Sequence, residues 1–148
     1  EMRAPEIAEK TIELLKSGLY DFGRINFPNG DMIGHTGNFN ATVKSVEAAD
    51  TQLSRLLETI NELKGTAIVL ADHGNADEMY VLKNGIKKTK TAHSLNSVPC
   101  AIVDPLFKNT CIMKSISPPG LSNIAATICN LLGFEAPTHF DSSLIAPL

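Results

Sequence analysis

An α/β fold is predicted from three features of the sequence. Two β-branched, apolar runs, Thr66 to Ala71 and Val98 to Val103, alternate with helical apolar patterns. Asn84-Gly85 stands between two further strand-like runs, Met79 to Lys83 and Ile86 to Lys90, as a strong hairpin-turn signal. Asp72-His73 leaves the C-terminal end of the run Thr66 to Ala71, Asp31 lies just beyond another strand-like stretch, Asp21 to Phe27, and ligands of open α/β sheets gather outside strand ends. The 148 residues fit one domain. With 43% hydrophobic and 20% charged residues, disordered and low-complexity classes drop out. A formal charge of -3 and a longest basic block of Lys87-Lys88 exclude a nucleic-acid footprint. The aliphatic run Ala67 to Ala71 is far short of the ~20 residues of a membrane span, so no membrane partner is expected.

The elements follow in order. Pro5 suits a first helical turn, Ile7, Ala8, Ile12, Leu14 and Leu15 supply an apolar face, and Gly18 can stop the helix. Asp21 to Phe27 reads as a short strand, weakened by Gly23 and Arg24 at its middle. The Asn- and Gly-rich stretch Asn26 to Asn40 reads as loop. From Asn40 to Lys64 a long helix is expected, with the stripe Val43, Val46, Leu53, Leu56, Leu57, Ile60 and Leu63, and Gly65 just past its end. Thr66 to Ala71 reads as a central parallel strand, followed by Asp72-His73-Gly74-Asn75. The hairpin and the strand Val98 to Val103, closed by Asp104-Pro105, come next. A last helix is capped by Ser122 and carries Ile124, Ala125, Ile128, Leu131 and Leu132, with Gly133 at its C-terminal stop. From Glu135 onward the tail reads as an irregular surface segment.

Cys100, Cys111 and Cys129 form no Cys-x-x-Cys pair, which argues against a thiolate zinc site. Cys100 and Cys129 read as small buried hydrophobes of a reducing compartment. Glu1-Met2-Arg3 opens with no charged-then-apolar leader, an observation of little weight for a chain beginning at Glu.

Three segments hold all but one of the histidines: Asp31-Met32-Ile33-Gly34-His35, Asp72-His73-Gly74-Asn75 and Thr91-Ala92-His93-Ser94. An Asp and a His four residues apart can converge on one ion across a helical turn or tight loop. Three imidazoles and two carboxylates suit Mn²⁺ or Zn²⁺ better than Ca²⁺, and a close pair of ions would serve phosphoryl chemistry. The competing reading makes each a solvated loop histidine and makes Asp31 and Asp72 helix caps. The glycines Gly30, Gly34 and Gly37 match no phosphate-loop pattern. His139 has no partner nearby in sequence, and Lys87, Lys88 and Lys90 read as a solvated face. No nucleophile stands out: Ser94 and Ser97 lack a strand-to-helix setting, and Cys100 lies in an apolar run.

Taken together, these segments resemble a known family. Asn26-Phe27-Pro28-Asn29-Gly30-Asp31-Met32-Ile33-Gly34-His35-Thr36-Gly37-Asn38 closely resembles the signature of cofactor-independent (2,3-bisphosphoglycerate-independent) phosphoglycerate mutase. So does Ala71-Asp72-His73-Gly74-Asn75-Ala76-Asp77-Glu78-Met79, as do Thr91-Ala92-His93-Ser94 with Asn96 and Val98-Pro99, and the ending Asn123 to Thr127 with Leu131-Leu132-Gly133. The resemblance runs from about Pro5 to Leu144. Gly23-Arg24 departs from the usual apolar pair, and Ser94-Leu95 stands where Thr-Thr is common.

The resemblance implies an alkaline-phosphatase-like central sheet flanked by helices, here a partial domain. It implies two Mn²⁺ ions, with Zn²⁺, Co²⁺ or Mg²⁺ as substitutes, and the interconversion of 3-phosphoglycerate and 2-phosphoglycerate in cytoplasmic glycolysis and gluconeogenesis. A metal-activated serine carries the phosphoryl group in that family. Carried over position by position, Asp31, His35 and His93 hold one ion, and Asp72 and His73 supply half the shell of the other. Residues 1–148 correspond to the C-terminal portion of the metal-binding domain. The nucleophilic serine, a further Asp ligand and an inserted, arginine-rich phosphotransferase domain are expected upstream. The isolated chain is therefore expected to be inactive, with the three-ligand ion bound more tightly than the two-ligand one and both weakened below about pH 6 as the imidazoles protonate.

Two alternatives stay open. One is another enzyme of the same superfamily, a phosphatase, phosphopentomutase or sulfatase. The other is a non-catalytic metal-binding or interaction module whose exposed sheet edge favours self-association.

Overall fold

The computed structural model describes residues 1–106 and 110–148. Its elements are α1 (Ala4–Lys16), α2 (Asn29–Gly34), α3 (Phe39–Glu62), β1 (Ala67–Leu70), β2 (Tyr80–Lys83), β3 (Ile86–Thr89), β4 (Cys100–Val103), β5 (Cys111–Met113), α4 (Asn123–Leu131) and β6 (Ile145–Pro147). The mixed helix-and-strand class agrees with the sequence pattern. The helix ends also follow local chemistry. Pro5 lies in the first turn of α1, and Gly18 takes a left-handed φ of 66° just past its end. Asn38 caps α3 by accepting from Ala41 N at 3.0 Å. At the end of α3 the left-handed residue is Lys64, with φ 56°, and Gly65 N reaches back to Ile60 O at 2.8 Å. Gly65 is thus one residue beyond the position that most needs a glycine. Ser122 sits at the N-cap of α4 but makes no capping hydrogen bond, whereas Gly133, at φ 83°, closes that helix as expected.

Several expectations are corrected. Residues 21–27 form no strand, because no described segment offers them a ladder, and Gly23 and Arg24 add no packing to hold one. Within the expected loop of residues 26–40, α2 forms despite two glycines. Its stability comes from tertiary anchoring: Asn29 is fully buried, its Nδ2 donates to Glu1 O at 3.1 Å, and its carbonyl accepts from Ser45 Oγ at 2.7 Å.

The expected central parallel strand is antiparallel. β1 pairs with β4, Ala67 opposite Val103 and Leu70 opposite Cys100, in a sheet of two strands. Each therefore keeps an open edge among the described residues, which leaves Cys100 exposed; Cys129, on α4, is half-buried rather than buried, as is Cys111 on β5. A run of apolar residues specifies a strand but cannot name its neighbours. β2 and β3 form the expected hairpin, with Asn84 and Gly85 at φ 54° and 75°. The tail contributes a strand after all, since β6 pairs with β5.

The core is small. Ala4, Ala8, Leu56, Met79, Ala126, Leu144 and Ile145 are buried. The buried face of α3 is Thr42, Ser45, Gln52, Leu56 and Thr59, so only Leu56 of the predicted stripe is fully covered. α1 and α2 pack on that face, and its hydroxyls are satisfied locally, Thr42 on Asn38 O at 2.9 Å and Thr59 on Arg55 O at 3.1 Å. This packing fixes α2, and with it Asp31, against the rest of the chain.

Candidate metal centre

Asp31 lies on α2 and His35 is its C-cap residue, so one helical turn places the two on the same side. His93 arrives from the loop between β3 and β4. Asp31 Oδ1 lies 3.0 Å from His93 Nε2 and 3.2 Å from His35 Nε2, and the two imidazole nitrogens are 3.2 Å apart. His73 follows β1, and its Nε2 is 3.9 Å from the same Asp31 oxygen. Its ring stacks on that of His93, with centroids 3.7 Å apart and planes at 21°. Asp72 is the outlier, with its carboxylate largely in solvent and Oδ1 3.8 Å from His73 Nε2.

The structure therefore brings Asp31, His35 and His93 into one cluster, sets His73 against it, and leaves Asp72 at the rim. His139 is elsewhere, edge-on to Phe140. Lys90 pairs with Glu78, and Lys87 lies over the Tyr80 ring at 3.8 Å, so two of the three hairpin lysines are engaged rather than simply solvated.

The donor set fits a divalent cation. His35 Nδ1 lies 2.6 Å from Thr91 O, and in the neutral ring this assigns the proton to Nδ1 and the lone pair to Nε2. A lone pair, a second imidazole nitrogen and a carboxylate oxygen then crowd one point, where a cation would satisfy all three. Mixed nitrogen and oxygen donors suit Mn²⁺, Co²⁺ or Zn²⁺. Burial would raise the pKa of Asp31, but the hydrogen bond from Asn75 and the nearby His35, His93 and His73 outweigh it and hold the carboxyl below its usual value. Asp31 is therefore an anion ready to ligate.

Four further residues, Asn75, Asp77, Ser94 and Asn96, complete the surroundings. Asn75 Nδ2 donates to Asp31 Oδ1 at 3.0 Å. Asp77 Oδ2 accepts from Asn96 Nδ2 at 2.6 Å and Ser94 Oγ at 2.8 Å. The Asn96 bond, opposed by burial and helped by Ser94 and the backbone N–H groups of Asp77 and Asn75, lowers the Asp77 pKa. Residue-type reasoning centred on ligands passes over these four as supports. The available signal was their position, within four residues of His73 or His93 on the same loops.

Comparison with known proteins agrees with this geometry. The metalloenzyme superfamily matches residues 1–136. The chain is 44% identical over 154 residues to the probable 2,3-bisphosphoglycerate-independent phosphoglycerate mutase 2 of Arabidopsis thaliana, with 97% of this chain and 28% of that protein covered. It is 40% identical over 157 residues to the 2,3-bisphosphoglycerate-independent phosphoglycerate mutase of Trypanosoma brucei brucei, with the same coverage. It superposes with a TM-score of 0.89 and 42% identity on a crystal structure of Leishmania mexicana phosphoglycerate mutase at low cobalt concentration, covering 99% of this chain and 28% of that one. The chain thus spans little more than a quarter of the length of these relatives. A family match over residues 1–136, a span that includes the clustered Asp31, His35 and His93, assigns this chain to the metalloenzyme superfamily.

Proposed function

We propose that the chain is the C-terminal metal-binding portion of a 2,3-bisphosphoglycerate-independent phosphoglycerate mutase, interconverting 3-phosphoglycerate and 2-phosphoglycerate in cytoplasmic glycolysis and gluconeogenesis. The observation that carries this reading is the convergence of Asp31, His35 and His93 within 3.2 Å of one another, with His73 alongside. Relatives at 40–44% identity bear that enzyme's name, which supports the same reading.

In this reading Asp31, His35 and His93 hold one ion, and Asp72 and His73 contribute to a second. Mn²⁺ is the proposed native metal, and Co²⁺ is a workable substitute. When bound, such ions neutralise charge on a transferring phosphoryl group and its attacking and leaving oxygens. The residues of this chain prepare that setting. Thr91 O fixes the His35 ring with Nε2 turned inward, Asn75 fixes the Asp31 carboxylate, and the stacked His73 and His93 rings bring the two ligand groups side by side. The nucleophilic serine and the substrate-binding arginines belong to other parts of the proposed enzyme. The 148 residues alone are accordingly expected to be inactive.

Cobalt titration of the purified chain tests the reading. One site that His35→Ala abolishes, and a weaker second site that His73→Ala removes, are expected. Absence of saturable uptake, or uptake unchanged in His35→Ala, overturns it. Metal-dependent turnover of 3-phosphoglycerate by the 148 residues would overturn the division of labour between the two parts.

A second reading, a module that associates with itself, rests on a run of exposed apolar side chains, Leu19 at 78%, Tyr20 at 61% and Phe22 at 55%. Light scattering that shows a monomer across concentration removes it.

A further inference from the structure

Among the described residues, His35 has its outer nitrogen anchored on Thr91 O, but His93 has no such partner. A ligating imidazole ordinarily needs an outer anchor to set its rotation. The side chains immediately after His93 supply a substitute. Ser94 Oγ and Asn96 Nδ2 both donate to Asp77 Oδ2, at 2.8 and 2.6 Å. Asp77 belongs to the loop that carries Asp72 and His73, so one carboxylate ties the two histidine loops together. The backbone reinforces the tie, for Ser94 N donates to Gly74 O at 2.8 Å in an isolated antiparallel bridge. The approach is close enough that a Cβ on Gly74 would overlap Ser94 Oγ and lie 2.6 Å from Asp77 Oδ1. Ser94 and Gly74 are buried at this crossing although His93 itself is exposed. Asp77 makes no ion pair among the described residues, so its oxygens are given to this clasp.

We propose that Asp77 is a positioning residue for the metal centre, holding His93 against His73 and Asp31 through Ser94 and Asn96. The proposal rests on the metal-centre reading above and adds to it a specific anchor for the one imidazole that lacks its own. Asp77 touches no reacting group; it acts through the loop. The stacked His73 and His93 rings, 3.7 Å apart, are the geometric consequence.

The test is cobalt affinity of the full 148-residue chain, followed by visible absorption, beside the thermal midpoint of the same proteins without metal. Asp77→Ala and Ser94→Ala are expected to bind cobalt about 10- to 100-fold more weakly, as loss of an outer partner does at other metal sites. Ser94→Thr, which keeps the hydroxyl, is expected to bind as wild type does. The His93 ring resonances of metal-free Ser94→Ala should shift, which a merely stabilising role would leave in place. Ser94→Ala removes a single hydroxyl and carries the test if Asp77→Ala does not fold. Folded Asp77→Ala and Ser94→Ala proteins with wild-type cobalt affinity overturn the proposal alone, provided His93→Ala is impaired. Wild type that takes up no cobalt, or His93→Ala that takes it up normally, overturns the metal-centre reading and this proposal with it.

Discussion

Gly34 lies flat against the side chain of Asn75. A Cβ built on Gly34 would overlap Asn75 Oδ1 and stand 2.9 Å from its Cγ. Asn75 cannot swing away cheaply, because it is buried and its Nδ2 is held by Asp31 Oδ1 at 3.0 Å. The backbone of Gly34 is ordinary helix, so the constraint is space rather than φ. Gly34→Ala is expected to cost about 1–3 kcal/mol in urea unfolding, as overpacking does. It should also weaken cobalt binding by displacing Asn75 from Asp31. In the double variant with Asn75→Ala the steric cost should vanish, so the two changes should be strongly non-additive. Additive losses would show that the contact is not the cause.

The tautomer of His35 follows from the 2.6 Å approach of its Nδ1 to Thr91 O, which can only accept. Nitrogen-15 spectra of the metal-free chain at a pH where the ring is neutral should show Nδ1 protonated and Nε2 bare. The opposite tautomer would remove the preorganisation argued for this ligand.

Asp77 makes stability pH-dependent in a definite direction. Its folded-state pKa is lowered, first by the Asn96 hydrogen bond, so the anion is favoured by folding. The contribution is complete above the ordinary carboxylate value of about 3.9 and is lost as pH falls through the lower folded value. Asp77→Asn should therefore be less stable than wild type by a constant margin from pH 7 to 5. The margin should begin to narrow below about pH 4, the ordinary carboxylate value, and close as pH falls through the lower folded value. Thermal midpoints of both proteins across that range check this, and a margin that persists to the lowest pH would contradict it.

Lys64 occupies the left-handed position that ends α3, at φ 56°. A side chain there costs roughly 1–2 kcal/mol against glycine, partly offset by the greater freedom glycine has when unfolded. Lys64→Gly is expected to raise stability by about 0.5–1 kcal/mol and leave cobalt affinity unchanged. A destabilised variant would mean that Lys64 makes a compensating contact.

Much of this was legible locally. The hairpin followed from Asn84-Gly85, because positive φ at both turn residues is a property of those two side chains. The stops of α1 and α4 followed from Gly18 and Gly133 for the same reason. The Asp31 and His35 pair followed from a spacing of four, which one helical turn converts into neighbours. Other readings failed where a partner distant in sequence decides the outcome. Val43 and Val46 of α3 are exposed, while Thr42 and Ser45 are buried, Ser45 against Asn29 of α2, because the neighbour that α3 meets determines which stripe is covered. Cys100 is exposed because β4 has β1 on one side only among the described residues.

By itself the sequence determined which residue types could ligate a cation, which turns could close, and that helices and strands would alternate, since all three depend on side chains a few positions apart. The family resemblance implied that His93 joins Asp31 and His35, but only the tertiary structure brings the side chains into contact, His93 Nε2 lying 3.0 Å from an oxygen of Asp31, 62 residues away. It alone decided that His73 stacks on His93, and that Asn75 and Asp77 fasten the two ends of that arrangement. The reason is physical: a hydrogen bond or a ring contact between loops depends on chain paths that local propensity does not encode, and those paths are fixed by the packing of α1 and α2 on α3 and by the bridge between Gly74 and Ser94.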